Sequence, residues 1–137
     1  MSIKHSDAIR NTLCNLVVDA IDGEAALSGT IQFMEGVYPT TPTALATLTM
    51  SNPAFGDAAA GANGVGQATA NEIAPYTECV AGTVTQFDIR TGDATPLIIF
   101  SGTVTAVGDT GDIILSSTAI GLNDTISITS LTYTSSV

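Results

Sequence analysis

The chain has no tryptophan, aromatic residues make up only 5% of it, and three Lys or Arg stand against thirteen Asp or Glu. A formal net charge of −10 with so few cations argues against nucleic-acid binding, which needs clustered Lys and Arg to meet phosphates. The shortage of aromatics removes the platforms on which a carbohydrate groove is usually built. Tyr38, Tyr76 and Tyr133 are scattered along the chain. No stretch approaches the roughly 20 apolar residues that span a bilayer, so no membrane partner is expected. Residues 13–18 are too interrupted, by Asn15 and then Asp19, for a signal peptide. The expectation is a protein made and kept in a cytosol, or leaving it without a signal. The two cysteines, Cys14 and Cys79, have neither CxxC spacing nor a histidine at metal-ligand distance in sequence. They are expected to be free thiols, buried or half-buried.

Catalytic signatures are missing as well. There is no GxSxG, P-loop, HExxH or EF-hand pattern. The single histidine, His5, sits in a terminal segment where it cannot complete an internal Ser-His-Asp arrangement without an unusual fold-back. The chain therefore reads as non-enzymatic, with no cofactor and no small-molecule substrate. The best metal candidate is Asp109-Thr110-Gly111-Asp112, which Asp93 and Asp124 would join if the loops cluster. Two carboxylates fall short of the six to eight oxygens calcium takes, and Asp and Gly are also ordinary turn residues. The turn reading is preferred, and no metal is expected.

What is present is a body of 137 residues, 45% hydrophobic and only 12% charged, about half the usual charged share. Such a chain can bury a core as one domain and must clothe its surface in Thr, Ser, Asn, Gly and Ala. Its few cations are unevenly placed. Lys4 and Arg10, with His5, lie in the first ten residues, and from residue 11 onward Arg90 alone faces twelve carboxylates. A slightly positive end leads into an acidic body, which suggests an end that attaches and a body that is exposed.

Periodicity predicts one helix, over residues 6–22. Ile9, Leu13, Leu16, Val17, Ala20 and Ile21 share a face, with Arg10, Asn11, Asn15 and Asp19 on the other side. Ser6 or Asp7 can cap it, and Asp22-Gly23 stops it. The rest reads as strands and loops. Strands are expected at 29–35, 44–50, 67–73, 83–90, 97–105, 113–115 and 125–134. Extended loops are expected at 37–43 and 74–82, with a turn at Asn52-Pro53. The Gly/Ala-rich stretch 56–66 reads as an exposed loop or an arm ordered by a neighbour. In the last strand a bulge near Thr129-Ser130 would bring Ile126, Ile128, Leu131 and Tyr133 to one side. The expected architecture is one domain over 1–137. It comprises an arm at 1–5, the helix, and an antiparallel β-sandwich over 29–134 of jelly-roll or immunoglobulin-like type. Asp88 and Arg90 share a strand face and are expected to join a cross-strand ion pair at the surface or in a subunit contact.

Four segments in order, SIKHSDAIRN at the start, LTMSNPAF at 48–55, GTVTQFDIR at 82–90 and TISITSLTYT at the close, resemble small virion proteins of tailed bacteriophages. The resemblance implies a structural role: a capsid decoration (cement) protein on the outer surface of the head. Its partners would be the major capsid protein and copies of itself, and it would be made in the host bacterial cytoplasm. A tail, neck or fibre component, or a glycan- or receptor-binding β-sandwich, is the alternative. The residues expected to meet a partner are Ile3, Lys4, His5, Arg10 and Arg90, with Ile3 able to add strand pairing at an exposed edge.

Overall fold

The computed structural model describes residues 3–23, 27–36, 41–61 and 64–135. Helix formation begins where the sequence places it. Ser6 is extended (φ −63°, ψ 159°), and its hydroxyl accepts from the Ile9 amide at 3.4 Å, satisfying one of the donors that a first turn leaves open. Helix α1 spans Asp7–Asp19, and a 3₁₀ turn, Ala20–Asp22, continues it. Gly23 at φ 57° then turns the chain away, a conformation that glycine adopts without a Cβ clash.

The remainder is mainly β. The strands are β1 (Thr30–Glu35), β2 (Thr43–Thr49), β3 (Ala59–Gly61), β4 (Gly64–Thr69), β5 (Gly82–Thr83), β6 (Gln86–Arg90), β7 (Ile98–Ala106), β8 (Ile113–Leu115), β9 (Ala119–Ile120) and β10 (Thr132–Thr134). They form a five-stranded sheet in the order β2-β1-β6-β7-β8, a three-stranded sheet β10-β4-β3, and the pair β5-β9. Pairing Ile31 with Leu48 and Ile89, and Phe33 with Ala46 and Phe87, puts these six side chains on one face of the large sheet. They join a single buried cluster with Cys14, Val18 and Ile21 of the helical segment. Gly102 pairs with Phe87, and a Cβ there would come within 2.6 Å of the ring, so the missing side chain makes room for the aromatic one.

Several expectations are corrected. The strands are not all antiparallel: β8 runs parallel to β7, with Val104 opposite Ile113. Residues between them drop back along the end of β7, pinned by Gly111 N donating to Thr105 Oγ1 and by Thr103 N and Oγ1 donating to Asp112 Oδ2 at 2.8 and 2.9 Å. The strand expected at 83–90 is split, because Val84 N donates to Thr118 O while the next amide, Thr85 N, donates to Met34 O. The strand expected at 67–73 lies earlier as β4, followed by a bridge between Ala70 and Phe55. Only Thr132–Thr134 of the last expected strand joins a ladder. Even so, the chain bends at Thr129, and Ile126, Ile128, Leu131 and Tyr133 all pack on the core, as a bulge there would require. Residues 37–40 of the loop expected at 37–43, Tyr38 included, lie outside the described residues, and Thr43 already belongs to β2.

The Gly/Ala-rich stretch is the largest revision. Rather than an exposed loop, it contributes β3 and the start of β4, and α1 lies against β4. Small residues allow this close approach. A Cβ on Gly66 (φ +76°) would stand 3.0 Å from the Arg10 carbonyl oxygen. The neighbour that orders this segment is the chain's own helix.

Candidate functional site

Helix α1 docks by a face different from the one its strongest apolar pattern marks. Cys14, Val18 and Ile21, at spacings of four and three, point into the core and are at most 1% exposed. Burying Val18 and Ile21 stabilises the packing by about 1.5–3 kcal/mol each. Beside them, polar side chains act as pins. Asn11 Oδ1 accepts from Gly66 N, Asn15 Oδ1 from Ala58 N and Asp22 Oδ1 from Ala54 N, each at 2.7 Å. Ser135 Oγ donates to the Arg10 carbonyl at 3.2 Å. The Asn11 and Asn15 carboxamides and the Asp22 carboxylate each accept from a backbone amide, at Gly66 in β4 and at Ala58 and Ala54 in the chain before β3, which is worth more than contact with water.

The consequence lies on the opposite side. Ile9 is 48% exposed, Leu13 38% and Leu16 69%, and Ala20 next to them is exposed too. At 100° per residue these four fall within about 60° of one another, one continuous apolar stripe along the helix. Most of the other large exposed apolar residues, such as Leu97, Val107 and Leu122, stand at turns or strand ends, while Ile3 lies in the arm and Ile114 in β8. Scattered exposure of that kind is ordinary, whereas a stripe along a helix marks an interaction face.

The expected partner residues separate into two groups. Ile3, Lys4 and His5 are exposed ahead of the helix, Ile3 at 86%. Arg10 is half-buried and bonds Asp7 Oδ1 at 3.1 Å, and its backbone is packed against Gly66 and Ser135. Arg90 is also occupied, but not across strands. Its Nη2 donates to Asp88 Oδ2 at 3.0 Å on the same strand, and the Asp88 side chain is completely buried. A buried carboxylate requires such a counterion, so Arg90 is committed to the fold.

The acidic residues likewise have local work. Asp112 holds Thr103, which lowers its carboxyl pKa below the ordinary range, chiefly through the backbone amide. Asp124 accepts from Gly121 N, and Asp93 lies against Gly23. Among the described residues no three potential ligands gather into a metal site. Cys14 and Cys79 are free and buried, and burial raises both thiols above their usual pKa. Every aromatic side chain among the described residues is buried or half-buried, with Phe100 and Tyr133 stacked at 5.1 Å.

The sequence pattern groups Ile9, Leu13, Leu16 and Ala20 with Ile21 on one face, whereas only Ile21 of these is buried, and it gives Asn11 and Asn15 no role as pins. A signal was present. The apolar arc from Leu16 through Ile9 and Ile21 to Val18 covers roughly 200°, twice what one packed face needs. No helix among the described residues is long and apolar enough to cross a membrane. No family model, curated protein or solved structure matches this chain.

Proposed function

We propose that this is a non-catalytic structural protein of a tailed-bacteriophage virion, a decoration protein on the outer surface of the head. In this reading the two larger sheets are the layers of a small β-sandwich. The α1 stripe of Ile9, Leu13 and Leu16 faces the major capsid protein. The acidic, Thr- and Ser-rich remainder faces solvent and neighbouring copies. The observation that carries the reading is the stripe itself. An amphipathic helix pinned to its own fold by polar residues, with its apolar residues outward, is built to lie against another protein. The low charge density supports it, since short polar side chains give up little rotamer entropy when an interface covers them.

The test is co-sedimentation of the purified protein with heads and, separately, with tails of its phage. Saturable binding to heads at a fixed number of copies is expected. Binding to tails alone, or to neither, contradicts the assignment.

A further inference from the structure

Along one side of the molecule both larger sheets end in an edge strand: β8 is the last strand of the five-stranded sheet, and β10 is the outer strand of the three-stranded one. A trench runs between them. It consists of three adjoining clefts of about 460, 350 and 290 Å³, the first two sharing Ile114, Leu115 and Ser127 and the last two sharing Asp112, Leu131 and Thr132. One wall is the stretch 111–117 with β8, and the other is 124–132 leading into β10. The second wall is held from behind by the Tyr76–Ile126 bridge and by Ala70 N donating to Leu131 O, and no ladder joins it to β8. The outer edge of β8 faces the slot, and an open edge offers backbone groups to a strand laid against it.

We infer that this trench receives Ile3, Lys4 and His5 of a second copy of the chain as an added strand. Three observations favour that occupant. The lining includes the carboxylates of Asp112 and Asp124 and contains no cation. Among the described Lys and Arg residues, Arg10 bonds Asp7 and Arg90 bonds Asp88, which leaves Lys4 as the exposed cation without such an ion pair. Finally, Ile3 is 86% exposed on its own chain, while half-exposed Ile114 and half-buried Leu115 and Ile128 offer it an apolar seat. Strand alternation sends Ile3 and His5 to one face of the arm and Lys4 to the other, so the apolar and the charged side chain do not compete for one seat. Each copy then gives one arm and accepts one, a head-to-tail contact that closes into a ring when the rotation allows. The trench lining contains none of the α1 stripe residues, so the inference does not depend on what the stripe binds.

Disulfide trapping between two exposed positions tests this. Purified Ile3→Cys and Ser127→Cys chains are mixed and mildly oxidised, the native thiols being buried. A product of two-chain mass is expected, with its yield reduced about tenfold when the arm also carries Lys4→Glu. Absence of that product overturns the inference, as does equal trapping with Thr12→Cys on α1 in place of Ser127→Cys. Closure of an Ile3→Cys/Ser127→Cys double variant within a single chain also overturns it.

Discussion

At Asp112 a carboxylate that the sequence offers as a metal ligand is instead a latch, accepting from both the amide and the hydroxyl of Thr103. Its pKa is lowered by those bonds, so the stabilisation is present above the unfolded value of about 3.9 and is lost as pH falls through the folded one. Asp112→Asn is therefore expected to lower stability at pH 7 by no more than about 1 kcal/mol, since the site is exposed. The gap to the parent should close as the pH falls through the lowered folded value. Thermal melts of both proteins between pH 7 and 2.5 check this, and a gap that stays constant across the range contradicts it. The same lesson holds at Asp88, Arg90, Asn11 and Asn15. Their types were legible, but a one-dimensional pattern does not tell whether a polar side chain serves water, a buried counterion or a backbone amide.

Among the elements, α1 was readable nearly to the residue, because caps and periodicity are local. So were β1 and the β6-β7 hairpin, with Phe87 and Ile89 facing inward. What failed was non-local. Residues 56–66 lack side chains large enough to announce a strand, and their pairing rests on Asn15 reaching Ala58 and Asn11 reaching Gly66. The parallel placement of β8 depends on bonds from Thr103 and Thr105 to the connection before it, which no alternation pattern encodes. The two sides of α1 should respond oppositely to substitution. Asn15→Ala leaves the Ala58 amide without its acceptor and is expected to cost about 1–3 kcal/mol. Leu16→Gln, on the exposed stripe, should change stability by no more than about 0.5 kcal/mol. Urea unfolding of the two variants decides between this docking and the reverse one, in which Leu16 is the costly position.

For the whole molecule, the charge asymmetry of the chain acquires a definite geometry. Of its cationic end, Arg10 is half-buried and bonds Asp7, while Ile3, Lys4 and His5 are exposed ahead of α1. The acidic body carries a helix whose apolar stripe is exposed, and the proposed function requires that stripe to be covered in the assembled state. Replacing the two most exposed residues of the stripe leaves the core and the pins intact, so lost binding can be separated from lost folding. The decisive measurement is the affinity of the Ile9→Gln/Leu16→Gln protein for heads, compared with the parent protein at equal stability. Covering what is still exposed of these side chains, 48% of Ile9 and 69% of Leu16, is worth about 1–2 kcal/mol each, so a loss of at least about 20-fold is expected. Binding equal to that of the parent protein would contradict the claim that this face of α1 is the docking surface.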